Sequence, residues 1–253
     1  MIVSRVIQDI KNRRIAFIAM LFLVFLGMEF GFWQLRRAEV KIQKAQQIRE
    51  LSLQPTLNAN ESHWTLDQAL YHRMQATGYW IPERGVWLQN RPHPLGKDPK
   101  TGIATGFNLM MPLQLTSSPE MVLWVNRGWI PRSFDQINQV SPVKTSVEIV
   151  TIEGIVFPDG GKTYQLAPEV ENKASDGLKI QENLVIDRAS FLDKQILPFV
   201  LREQKSQLED GLDKSLPLPI SGVNTHYGYA FQWFGLALMT FLYWGFTALR
   251  KKS

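Results

Sequence analysis

The chain has 253 residues, 45% of them hydrophobic and 20% charged, and no cysteine. Disulfides, thiolate nucleophiles, Cys-ligated zinc, Cys-x-x-Cys copper carriage and covalent c-type haem attachment are therefore excluded. The net charge of +5 sits in two short tails, with Arg5, Lys11, Arg13 and Arg14 at one end and Arg250, Lys251 and Lys252 at the other. That distribution fits membrane-flanking residues and no nucleic-acid-binding face.

In chain order, residues 15–33 read IAFIAMLFLVFLGMEFGFW, with Glu29 as the one ionisable side chain. At 1.5 Å per residue they reach about 28 Å, which predicts a transmembrane helix. A cleavable signal peptide fits less well, because no small-x-small site follows and the run continues through Phe30, Phe32 and Trp33. The next stretch, QLRRAEVKIQKAQQIREL, is polar, rich in helix formers and free of Gly and Pro, so the helix extends to about Leu51 and Pro55 closes it. The character then changes. MQATGYW, GVWLQN, GFNLMMPLQL, MVLWVNRGWI and SVEIVTIEGIVF are short apolar or alternating runs between turn residues, which predicts five or more strands in a small barrel or compact sheet. TLDQAL and RASFLDKQI read as short helices, and residues 158–182 and 205–222 as loops. Residues 227–249 are uncharged with Tyr and Trp at both ends, a second span.

The basic residues after the second span put its C-terminus in the cytoplasm. Residues 1–14 and 250–253 are then cytoplasmic tails, and residues 34–226 form a mainly-β extracytoplasmic domain between two transmembrane helices. With no Arg- and Ser-rich leader ahead of the first span, a bacterial inner membrane is expected.

Sequence signals for enzyme chemistry are absent. The four histidines, His63, His72, His93 and His226, show no i, i+4 pair, and no nucleophile elbow, phosphate loop or dinucleotide fingerprint occurs. His226 stands out by position. It lies at the outer end of the second span, and Tyr229, Ala230 and Trp233 share its helical face. A neutral imidazole there suits axial ligation of a haem, or plain interfacial hydrogen bonding. Glu29 lies about 6 Å inside Trp33, at a depth that suits either a carboxylate that meets His226 and orients it or an interfacial carboxyl that snorkels outward or is protonated. Gly27 and Gly31 make a small-x-x-x-small face for a neighbouring helix. Asn90-Arg91 and Asn126-Arg127 each end an apolar strand, as corners that lock loops together or as carboxylate-binding forks.

The motifs LGMEFGFWQLRRAEVK, ATGYWIPERGVWLQNRP, MPLQL followed by VLWVNRGWIP, and THYGYAFQWFGLA occur in one order from about Leu26 to Ala237. In that order the sequence resembles the Surfeit locus protein 1 family, membrane proteins that assist assembly of haem-copper cytochrome c oxidases. The resemblance implies an assembly factor that is not an enzyme. Its partners would be oxidase subunit I, the lipid bilayer and a haem a synthase, and its cofactor would be non-covalent haem a. The family's second-span histidine falls on His226, with Thr225 and Gly228 as small departures around it. Its Trp-Gln-x-x-Arg element falls on Trp33, Gln34 and Arg37, and its Asn-Arg-Gly-Trp element on Asn126, Arg127, Gly128 and Trp129. On this reading His226 ligates the iron, Tyr229, Gln232 and Trp233 line the porphyrin, and Glu29 or Arg37 meets its edge or propionates. The rival is a cofactor-free scaffold for subunit I, in which Arg127 and Trp129 matter and His226 does not.

Overall fold

A computed structural model describes residues 10–61, 63–133, 139–141, 143–161, 172–184, 194–205, 209–214 and 222–249. The chain divides into a helical unit, residues 1–46 with 219–253, and a β unit, residues 47–218.

The β unit is organised around a closed barrel. Its strands are β1 (Leu57–Asn58), β2 (Arg73–Trp80), β3 (Val86–Pro92), β4 (Thr105–Leu115), β5 (Met121–Pro131), β6 (Val150–Phe157), β7 (Asn172–Lys173), β8 (Lys179–Gln181) and β9 (Gln195–Lys205). The hydrogen-bonded order is β1-β2-β6-β9-β5-β4-β3-β8-β7, and β2 also pairs with β4. That extra ladder, Gly78 to Leu115 through Trp80 to Leu113, closes β2, β6, β9, β5 and β4 into a ring. Closure depends on Gly78, since a Cβ there would lie 2.2 Å from the Gln114 carbonyl oxygen. Strand alternation then sends Met74, Ala76, Leu113, Leu123, Val125, Ile152, Leu197, Phe199 and Leu201 into one buried interior. At about 25 cal/mol per Å² of apolar surface removed from water, this interior is the main stabilising term of the unit.

All five expected strands are present. A short helix, α2 (Leu66–Ala69), stands on TLDQAL, with Thr65 and Gln68 forming a capping box. Three differences have physical reasons. β9 runs through a segment read from sequence as helix followed by nothing assigned: residues 188–193 of RASFLDKQI lie outside the described residues, and Gln195 and Ile196 already belong to the strand. β7 and β8 stand inside the stretch read as a loop, the latter paired in parallel with β3. Asn126-Arg127 does not end its strand. The register shifts there, opposite Leu109 and Met110, so Arg127 is extruded as a bulge and β5 continues to Pro131.

In the helical unit, α1 (Arg14–Ser52) runs 39 residues without a break and stops ahead of Pro55, as expected. It is long and apolar enough to cross a membrane. The boundary expected at 33/34 falls within this continuous helix, and residues 34–46 belong to the helical unit. The other helix, α3 (Val223–Leu249), has 27 residues and no charged side chain.

Candidate functional site

Within the helical unit, Gly27, Gly31, Gln34 and Ala38 are the buried face of α1, a 4-3-4 spacing that makes one seam. The seam is tight. A Cβ on Gly27 would lie 2.9 Å from Ala237 Cβ, and one on Gly31 would enter the Phe234 ring. Phe30 meets Trp233 with ring centroids 4.8 Å apart, Phe32 meets Phe234 at 5.4 Å, and Phe17 meets Trp244 at 5.1 Å.

At one end of this seam His226 sits half-buried, and its Nδ1 lies 2.7 Å from Oε1 of Gln34. Gln34 is 9% exposed. Among the described residues Nε2 of His226 makes no hydrogen bond. Of the other residues singled out, Trp233 is half-buried against Phe30, whereas Tyr229 and Gln232 are exposed. Arg37 stacks over Trp33 at 5.5 Å, both exposed. Glu29 does not meet His226. It is exposed, two residues from Gly27 and so about 200° around the helix from the seam. The side chain that engages His226 is Gln34, the second residue of the Trp-Gln-x-x-Arg element.

In the β unit, Asn90 adopts the left-handed conformation, which Asn tolerates better than most residues, with φ of 58°. Arg91, buried beside it, donates to the backbone carbonyl of Glu182. Arg127, 2% exposed, extends from the bulge at one end of the barrel interior. It donates to Asp210 Oδ2 at 3.0 Å, Thr145 Oγ1 at 2.7 Å and the Lys144 carbonyl at 3.0 Å, and stacks over Trp80 at 4.8 Å. Lys214 pairs with the same Asp210 oxygen at 3.0 Å and with Glu203 at 3.1 Å. Both Asn-Arg corners therefore hold distant segments together. Asn126 accepts from the Gly128 amide, and Gly128, at φ of 141°, lets the chain at Asp213 pair with Trp129. Asp210, Lys214, Glu203 and Thr145 carry no local signal in sequence, since they join Arg127 only through the fold.

Beside Trp129 a cavity of about 730 Å³ opens, lined in part by Asp98, Lys100, Asp213 and Lys214. His93, Asp98 and Asp213 put ligand-type atoms within 4.8 Å of one another there. The hydrogen bonds favour a structural tie. Leu95 N donates to His93 Nδ1 at 3.2 Å, so the ring proton is on Nε2, which donates to Asp213 Oδ2 at 2.7 Å. The nitrogen facing the carboxylates thus presents a proton rather than a lone pair.

Glu203 is fully buried, and one of its oxygens has no partner among the described residues. Burial raises its carboxyl above the ordinary 4.5, with Lys214 and then Arg127 pulling it back in part. A carboxyl raised in the folded state contributes stability that is present below pH 4.5 and lost as pH climbs through the raised value. Glu203→Gln should therefore gain in Tm relative to the parent as pH rises from 4.5. Thermal unfolding at a series of pH values checks this, and a difference that stays constant with pH contradicts it.

The SURF1 family model matches residues 18–238, which takes in all but the first turn of α1, the whole barrel and the His226 end of α3. The chain belongs to the SURF1 family. It is 25% identical to a SURF1-like protein of Rickettsia bellii over 232 residues, 90% of this chain and 86% of that one. A SURF1-like protein of Rickettsia prowazekii is 28% identical, over 82% of this chain and 79% of its own. One of Rickettsia conorii is 26% identical, over 86% of each. SURF1 family members are generally oxidase assembly factors and not typical enzymes, and they are membrane-associated.

Proposed function

We propose that this SURF1 family chain carries haem a to subunit I of a haem-copper oxidase, with His226 as the protein's ligand to the iron. The observation that supports it most is the state of His226: half-buried at the head of an uncharged helix, one ring nitrogen engaged by Gln34 and the other without a partner among the described residues. The donor set suits haem iron, which takes a neutral imidazole nitrogen as axial ligand. On this reading Arg37, exposed one turn beyond Trp33, would meet a propionate, and the exposed Tyr229 and half-buried Trp233 would offer aromatic surface beside the ring. Glu29, on the far side of α1, has no part in this site.

The reading includes α3 as a second span, leaving both termini in the cytoplasm and the barrel outside a bacterial inner membrane. Its support is the surface of α3, where Phe231, Leu236, Leu238, Met239, Phe241, Leu242 and Phe246 are all exposed. A helix apolar on every side needs a non-aqueous surround. Haem a is cargo here, received from its synthase and passed on, so ligation by one histidine must be weaker than in the oxidase's own pocket.

Full-length protein purified in detergent from cells that make haem a is expected to contain haem a, and His226→Ala to lose it, by optical spectrum and haem extraction. Absence of haem from the folded parent would overturn the carrier reading in favour of a cofactor-free scaffold for subunit I.

A further inference from the structure

We infer that Gln34 is the positioning residue of this site: its side-chain carbonyl fixes the proton of His226 on Nδ1 and so selects Nε2 as the nitrogen offered to a ligand. The inference rests on the haem reading above for what Nε2 binds, but the tautomer itself depends only on this chain.

An amide oxygen can only accept, so the 2.7 Å contact has Nδ1–H of His226 donating to Gln34 Oε1. A neutral imidazole carries one ring proton, and that bond places it. Nε2 then keeps its lone pair, in line with its lack of a partner among the described residues. Solvent competes little, because Gln34 is 9% exposed. The acceptor is also held in place: Gly31, one turn away, lets Phe234 close over the seam, and buried Ala38 continues it beyond. The choice of an amide has a chemical consequence. A carboxylate at the same place would draw the Nδ1 proton and raise the basicity of Nε2, tightening its hold on a metal. A neutral carbonyl orients the ring without that gain, which suits a site that must let its cargo go.

The test uses the full chain in detergent with ¹⁵N-labelled histidine, prepared from cells without haem a. Long-range ¹H–¹⁵N spectra, with His226→Ala assigning the ring, should show the proton on Nδ1 in the parent. In Gln34→Leu it should redistribute toward Nε2, while amide spectra confirm the fold. A parent ring protonated on Nε2, or a Gln34→Leu ring still protonated on Nδ1, overturns the inference. In haem-loaded protein, Gln34→Leu should lower affinity about 10–100-fold, and Gln34→Glu should restore it and lower the midpoint potential. Unchanged affinity and potential in both, with haem still lost in His226→Ala, would sink the role of Gln34 and leave the carrier reading intact. A haem-free parent would sink the carrier reading, and the tautomer would still decide this one.

Discussion

Arg127→Leu is expected to cost about 3–5 kcal/mol of stability, because it removes one of the two cations that hold a buried carboxylate. Asp210 is held by Arg127 and Lys214 together, and Lys214 is already shared with Glu203. Without the guanidinium, one ammonium faces two buried carboxyls. Three anchors go at once, since Arg127 also binds Thr145 and the carbonyl of Lys144 and covers Trp80. Arg127→Lys should recover little, as an ammonium does not reproduce the planar fork that reaches both 144–145 and 210. Thermal unfolding of the full chain, followed by tryptophan fluorescence, reads the effect as a fall in Tm on the order of 10 °C. A fall of a degree or two would mean that water screens the cluster.

Phe199→Ala should be comparably severe, at about 3–5 kcal/mol. Phe199 is fully buried in the barrel interior, among side chains from the strands of the closed ring. These fix its surroundings on every side, so the space left behind cannot collapse. Tyr79→Ala is the comparison, since Tyr79 is 43% exposed on β2; about 1 kcal/mol or less is expected. Equal losses in the two variants would refute the assignment of Phe199 to the interior.

Phe199 also marks where the sequence stopped being legible. The other barrel strands announce themselves as apolar or alternating runs between Gly, Pro, Asn and Asp. In β9 the inward series Leu197, Phe199, Leu201 is interleaved with Pro198 and Val200, which hides the period of two. Closure was not legible at all, because nothing local says that Gly78 lies against Gln114. In the helical unit the extent of the helix was legible, but the residue that meets His226 was not. Glu29 lies five residues short of Gln34, about 7 Å along the helix from the level of His226, and points about 200° from the Gly27 seam, whereas Gln34, seven residues beyond Gly27, lies on it. The 27, 31, 34, 38 series was in the sequence. What it could not give is the partner, since residues 34 and 226 are 192 positions apart.

The place of β9 in the sheet carries a consequence for the order of events in biogenesis. β9 is the last of the described strands, yet it lies between β5 and β6, parallel to one and antiparallel to the other. Until residue 205 has been synthesised, both neighbours present bare hydrogen-bonding edges and the ring stays open. Such edges invite pairing with other chains, and contacts this distant in sequence form slowly. The nascent protein thus passes through an open-barrel stage, and α3 is the next described element to emerge once β9 can end it.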